Sequence, residues 1–360
     1  MARAGWLDGD SEGRWQAVLR LPLGWAAGAY GLGARLHRAF YERGWKEPRR
    51  LPCRVISVGG LTVGGAAKTP MAAWLAARLH ARGHRVALLS RGYGRQRSEA
   101  VTVVSDGSSL HGDVERRGDE PLILAAHAPG VPVLVGRDRS LTGLRAINAF
   151  DVEAIVLDDG FQHHRLARDL EIVTVDGQAG FGNFRVLPGG PLREPLSALS
   201  RADAVGVIDG PLSPSQEARV EEFAAAAFRF EASRRVWALR KLGEREIVEP
   251  EFVVGKAVGL LSGIARPDGL HRTVKVLGAR IVAERHFGDH HVFRPRDLAG
   301  LASEAPLWLT TEKDAVKLSS WWQRGADIRV LCTGLAFAEP ERLLRWIEAT
   351  LDSRRPLPGQ

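Results

Sequence analysis

The chain has 360 residues, 45% of them hydrophobic and 26% charged, the balance of a soluble globular protein with one large or two ordinary domains. That composition excludes an intrinsically disordered chain, a collagen-like repeat and a multi-span membrane protein. Fifty Lys and Arg against 42 Asp and Glu leave a net charge of +8, which points to an anionic partner: nucleic acid, an acidic membrane surface or a phosphorylated substrate.

The excess is unevenly placed. Residues 14–50 hold eight basic side chains and two acidic ones, Glu42 and Glu47. Met1–Gly13 carries Asp8, Asp10 and Glu12, wrong for the cationic start of a secretory signal, so none is expected. Cys53 and Cys332 are the only cysteines; they make neither a disulfide framework nor a zinc site and suit a reducing cytosol. Within Arg14–Tyr41 the longest uncharged run, Leu21–Ala34, has 14 residues, short of the ~20 that span a bilayer. Read as a helix, it puts Val18, Leu21, Trp25, Ala29, Leu32, Leu36 and Phe40 on one stripe, with Arg20 and Arg38 opposite. Stripe, basic flank and the aromatics Trp15, Trp25, Tyr30, Tyr41 and Trp45 fit a helix lying in a membrane interface. A helix packed on its own domain fits the stripe equally well.

From Arg54 onward short apolar runs alternate with helical stretches. Strands are expected at Arg54–Val58, Arg85–Leu89, Val101–Ser105, Val131–Val135, Ala154–Leu157, Leu170–Val175 and Ala204–Ile208. Helices are expected over Thr69–Arg82, Pro121–His127, Ser140–Phe150 and Ser215–Phe228. This predicts an α/β fold with a mostly parallel sheet covered on both faces. Phe230–Glu249, with a turn at Gly243, reads as a β-hairpin linker. A smaller second α/β unit follows: strands at Ala257–Leu261, Arg280–Glu284, Leu307–Thr310 and Arg329–Cys332, helices at Asp268–Leu277, Pro295–Ser303 and Pro340 to about Leu351, then a frayed tail. The implied division is 1–50, 51–228, 229–255, 256–351 and 352–360.

The segment Val55–Pro70 runs from an apolar strand through glycines to Lys68-Thr69 and a helix, the order of a P-loop. There the backbone N–H groups of Gly64, Gly65, Ala66 and Ala67 and the helix N-terminus cradle phosphates, the Lys reaches the β/γ-phosphates and the Thr hydroxyl binds Mg²⁺. Ala67 replaces the usual Gly before the Lys, and Thr62 stands in place of the first Gly. If the φ of Ala67 is positive the loop is strained; if negative, Ala stiffens it. A P-loop fold needs an acid at the end of a neighbouring strand. Ala154–Leu157 followed by Asp158-Asp159-Gly160 supplies it, with Thr69, Asp158 and Asp159 as metal-side residues.

With these pieces placed, the chain resembles the tetraacyldisaccharide 4′-kinases, the lipid A kinases of Gram-negative bacteria, from about Leu21 to Pro340. The resemblance is carried by Pro22–Trp25 with Phe40–Gly44, Val58–Pro70, Ser90-Arg-Gly-Tyr-Gly-Arg95, Gly118-Asp-Glu-Pro121, Asp158–His164, Leu187–Pro195, Gly263-Ile-Ala-Arg-Pro267, Asp289-His-His291 and Thr311-Glu-Lys-Asp314. Departures are Gly60 for a usual Asn and Ala66-Ala67 for Thr-Gly. The resemblance implies transfer from ATP, with Mg²⁺, to the 4′-hydroxyl of a tetraacylated glucosamine disaccharide 1-phosphate. The setting it implies is the anionic surface at the cytoplasmic face of the inner membrane, with no nucleic acid and no obligate protein partner.

Phosphoryl transfer needs positioning, charge neutralisation and a base for the attacking hydroxyl. Lys68, Thr69 and Mg²⁺ cover the first two. Asp119 is the expected base, although an aspartate before Pro121 also suits a helix cap. The resemblance pairs it with a histidine of Asp289-His-His291, expected to be His290. Arg193 is expected to neutralise the phosphoryl group, and Arg91, Tyr93, Glu120, Gln162 and Glu194 to line the substrate side. Arg95 shares the loop of Tyr93, and Lys313 is nucleotide-linked by resemblance only. The competing readings are a membrane-recruited regulatory ATPase or nucleotide sensor. The first carries a signature Lys five residues before the P-loop Lys, where this chain has Val63.

Overall fold

The computed structural model describes residue 33 and residues 47–92, 99–111, 119–244, 246–264, 267–288, 291–318 and 326–354. The Arg14–Tyr41 stripe (Gly33 aside) and residues 355–360 of the tail lie outside them. Among the described residues thirteen strands join in one sheet. The strands are β1 (Arg54–Gly59), β2 (Val86–Ser90), β3 (Val101–Asp106), β4 (Pro132–Gly136), β5 (Ala154–Asp158), β6 (Leu170–Asp176), β7 (Ala204–Ile208), β8 (Phe228–Lys241), β9 (Ile247–Val248), β10 (Ala257–Ser262), β11 (Arg280–His286), β12 (Leu307–Thr311) and β13 (Asp327–Phe337). The helices used below are α1 (Lys68–Ala81), α2 (Asp119–His127), α3 (Arg139–Phe150), α4 (Pro214–Ala224), α5 (Pro267–Val276), α6 (Leu301–Glu304), α7 (Glu312–Leu318) and α8 (Pro340–Arg354).

The strand order is β11-β10-β12-β13-β8-β7-β6-β1-β5-β2-β4-β3, with β9 on β8. Neighbours are parallel except β3 with β4, β13 with β8 and β9 with β8. Central strands buried on both faces have no polar side to alternate, which is why β1, β2, β4, β5 and β7 read as continuous apolar runs. Their period of two instead divides them between two cores. Ile56 and Val58 pack with Met71, Leu75 and Leu79 of α1 on one face; Val55 packs with Ile155, Leu157 and Ala146 of α3 on the other.

Three differences from the sequence reading matter. The hairpin expected at 230–249 is a 14-residue strand, β8, with only the two residues of β9 folding back. Pro295–Ser303 is not one helix: a 3₁₀ turn at Pro295–Leu298 and the single turn α6 are separated by Gly300, whose φ of +80° ends the first. The last helix, α8, leaves the second half of the chain; Leu343, Leu344, Ile347 and Leu351 join the core of β1 and α1, and its end is tied down by Asp352 to Arg54 (2.6 Å) and Arg354 to Asp203 (2.6 Å).

The long strands place the two halves. β8 runs beside β7 from Phe228 to Ala232, where β7 ends at Ile208. It continues to Leu239, which lies beside Leu331 of β13, itself beside Thr311 at the end of β12. Because β13 is antiparallel to β8, the carboxyl ends of the strands in the two halves face each other, about 20 Å apart at 3.3 Å per residue. Ligands of open α/β sheets bind outside such carboxyl ends, and here two sets of them converge on one cleft.

Candidate active site

β1 ends on Gly59, where an added Cβ would lie 2.6 Å from the Cβ of Phe161; only glycine lets the strand leave the sheet this close to the turn after β5. The loop then turns at Gly64 with φ +98° and enters α1 at Ala67. No side chain caps this N-terminus and no acid sits in its first turn, so its N–H groups and the positive end of the helix are available to an anion. Pro70 in the first turn removes an N–H that has no helical partner there.

Ala67 has φ 54° and ψ 29°, so its strain, left open by the sequence, is present. A left-handed Ala costs about 1–2 kcal/mol. Packing of its methyl against Ile208 and Ala232 holds it. Ala67→Gly relieves the strain but loses about 0.8 kcal/mol of methyl burial and about 0.4–1 kcal/mol through the freer unfolded chain. Stability is therefore expected to change little. The expected kinetic result is a KM for ATP lowered by about threefold or more, with kcat within about twofold; steady-state assays of the variant check it.

Two carboxylates close the loop from β5. Asp158 is buried and accepts from the Thr69 hydroxyl at 3.1 and 3.3 Å and from the Ser90 hydroxyl at 3.4 Å. Burial, and then the charges of Asp159 and Glu120, push its carboxyl up to about 7. Asp159, at φ 51°, stands 3.2 Å from Lys68 Nζ and takes two bonds from Arg193, at 2.7 and 2.8 Å. Burial raises its carboxyl, but Lys68 and Arg193 outweigh that and hold it below the usual range. One carboxylate thus sets the spacing of two cations beside a helix N-terminus, an arrangement that can hold a polyphosphate and charge developing on it.

The residues fit a magnesium ion. Thr69 and Asp158 already share a contact, and burial, then the charges of Asp159 and Glu120, disfavour the Asp158 carboxylate, a cost that a divalent cation would offset. Mg²⁺ takes one or two protein oxygens and otherwise phosphates and water.

A family model described as tetraacyldisaccharide-1-P 4′-kinase, LpxK, matches residues 17–352. The chain belongs to this family. It is 42% identical over 350 residues to the tetraacyldisaccharide 4′-kinase of an Anaeromyxobacter species, covering 94% of this chain and 92% of that one. It is 41% identical over 341 residues to that of Geobacter sulfurreducens, covering 93% and 92%. The crystal structure of LpxK from Aquifex aeolicus in complex with ATP superposes with a TM-score of 0.75 at 31% identity, over 92% of this chain and 99% of that chain.

The other expected residues of this LpxK-family chain fall into three groups. Gln162 joins the site: it donates to the Gly60 carbonyl at 3.1 Å and accepts from Arg193 at 3.4 Å, tying the loop to the turn after β5. Glu120 acts on Asp158 through its charge. Arg91 lies exposed after β2, on the same edge of the sheet. Glu194 is buried and held by Arg201 at 2.9 and 3.1 Å in an ion pair, while its neighbour Arg193 turns to Asp159. Tyr93, Arg95, His290 and the side chain of Asp119 lie outside the described residues; the backbone of Asp119 opens α2. His291 is committed elsewhere, stacked on Phe287 at 4.4 Å and bonded to Asp297 at 2.9 Å.

Two further residues join the site. Ser90, part of the Ser90–Arg95 motif but given no role there, is a polar residue ending an apolar strand, a signal the sequence carries. Arg234 has no such signal: it lies in β8, far from the loop in sequence, and Asp176 and Asp209 fix it so that its Nη1 is 3.6 Å from where a Cβ on Gly65 would stand.

Proposed function

We propose that the protein is an ATP- and Mg²⁺-dependent kinase that phosphorylates the 4′-hydroxyl of a tetraacylated glucosamine disaccharide 1-phosphate in lipid A biosynthesis. The observation that carries the reading is the Asp159 bridge between Lys68 and Arg193, set at the mouth of the phosphate loop. Lys68 and the start of α1 hold the β- and γ-phosphates, and Arg193 takes the charge spreading over the transferred group. Thr69 and Asp158 would hold Mg²⁺, which would supply neutralisation of the phosphate charge when bound. Asp119, opening α2 at the same cleft, removes the proton of the attacking hydroxyl, with His290 raising its basicity. The commitment of His291 to Phe287 and Asp297 supports the choice of His290.

The proposed division into 51–228, 229–255 and 256–351 assigns the phosphate loop to the first unit and the Asp-His-His segment to the last, and the chemistry calls on both, while α8 packs in the core of the first. Among the described residues no helix is long and apolar enough to cross a membrane. The basic, apolar-striped residues 1–50 are proposed to bring the enzyme to the anionic cytoplasmic face of the inner membrane, each Lys or Arg near the surface contributing about 1 kcal/mol.

The test against a regulatory ATPase is acceptor dependence. With ATP and Mg²⁺, phosphate is expected to appear on the sugar and to leave ATP slowly without acceptor. Rapid ATP hydrolysis indifferent to the lipid would refute the kinase reading.

A further inference from the structure

The Thr311-Glu-Lys-Asp314 segment has no task in the site described above. Thr311 ends β12 and Asp314 sits in the first turn of α7. The Thr311 hydroxyl donates to Asp314 at 2.8 Å and accepts from the Asp314 N–H at 3.2 Å, a reciprocal cap that fixes where the helix starts. Glu312, at that start, points to the strands joining the two halves. Its Oε1 lies 2.7 Å from Nε2 of His127, the last residue of α2. Its Oε2 accepts from the N–H of Thr333 at 3.2 Å and from its hydroxyl at 3.1 Å.

Thr333 is a telling partner. The pairing of β13 with β8 slips between Cys332 and Thr333, just past Leu331, the last residue of β13 that pairs with β12. The extra residue of this bulge is Trp237 of β8, which bends there; on the facing strand β13 has run past the end of β12, and a carboxylate takes the N–H of Thr333. Glu312 and His127 are 17% and 15% exposed, so these bonds act largely out of water, where they are strong. One side chain therefore grips the bend between the halves and the far end of the helix that opens on Asp119.

We propose that Glu312 is a positioning residue. It locks β13 where that strand faces the bulge of β8 and, through His127, the helix α2, and so sets how far Asp119 stands from the opposite wall of the cleft. The proposal rests on the kinase reading for the reaction assayed.

The test uses the full chain in detergent with ATP, Mg²⁺ and the lipid acceptor, comparing native protein, His127→Ala, Glu312→Ala, Glu312→Gln and the double alanine variant. Misplacing a reacting group by about 1 Å costs up to about 100-fold. The expected result is kcat lowered about 30- to 100-fold in each single alanine variant. The KM for ATP should stay within about twofold, and the double variant should be no slower than either single one, the mark of residues acting as a unit. Glu312→Gln keeps an acceptor for Thr333 and an amide for the imidazole, and is expected within about fivefold of native. If Glu312→Ala does not fold, His127→Ala and Glu312→Gln decide, since both leave the Thr333 bonds in place. A kcat for His127→Ala within twofold of native, additive losses, or Glu312→Gln as slow as Glu312→Ala would overturn the proposal. A native protein that transfers no phosphate sinks this proposal and the kinase reading together; an active native protein with an unaffected His127→Ala sinks this proposal alone.

Discussion

Lys68→Ala is expected to lower kcat/KM for ATP by about 10³-fold, the loss typical of removing a donor aimed at transition-state charge, and Lys68→Arg is expected not to restore it. The ammonium is largely buried, 3.2 Å from Asp159, in a space bounded by the loop itself, since a Cβ on Gly60 would lie 3.3 Å from Lys68 Cδ. The wider guanidinium does not fit that space as a point charge does. Without Lys68, Asp159 also faces the phosphates with only Arg193 to balance it, so the variant loses an attraction and gains a repulsion. Steady-state kinetics with ATP varied at saturating acceptor measures this; a loss below tenfold would remove Lys68 from the transition state.

Asp158→Asn is expected to stabilise the metal-free protein while reducing kcat by about 10²-fold or more. Burial and the neighbouring carboxylates raise the Asp158 carboxyl to about 7, so the folded chain keeps a proton that the unfolded chain releases near pH 4. Each pH unit between those values costs folding about 1.4 kcal/mol. Below the lower value the group contributes nothing, and above about 7 the cost levels off at up to about 4 kcal/mol. The asparagine variant escapes this cost, so its advantage in denaturant unfolding grows from pH 4 to 7 and then stays constant. Mg²⁺ with nucleotide is expected to erase the advantage by stabilising the native protein alone. Equal stability of the two proteins at pH 8 without metal would contradict the assignment.

The phosphate loop was legible because its parts are local: strand, glycines, Lys68-Thr69 and helix follow one another within sixteen residues of chain. Asp158 was legible for the same reason, as an acid ending an apolar run. What the sequence could not show is pairing over distance. Arg193 and Glu194 are neighbours in the chain, yet Arg193 pairs with Asp159 and Glu194 with Arg201. Arg234 reaches the loop only because β8 lies beside β7, which in turn lies beside β6, an order set by sheet topology. The hairpin expected at 230–249 has only a short second arm, because β9 pairs with β8 at Leu239 with Val248 and Arg240 with Ile247 alone, while the long partner of β8 is β13, some ninety residues later in the chain, a pairing that no local pattern shows. The return of α8 to the first core follows from the length of β13, which carries the chain back across the bend before the helix begins.

The most direct test of the kinase chemistry is transfer of ³²P from γ-labelled ATP to a tetraacylated glucosamine disaccharide 1-phosphate, by native protein and by Asp119→Ala, in detergent with Mg²⁺. The prediction is label on the lipid with the native protein and a rate about 10²- to 10⁴-fold lower with the variant, the range a general base contributes. No label on the lipid with the native protein would contradict the account at its centre, and a variant as fast as native would remove Asp119 as the base.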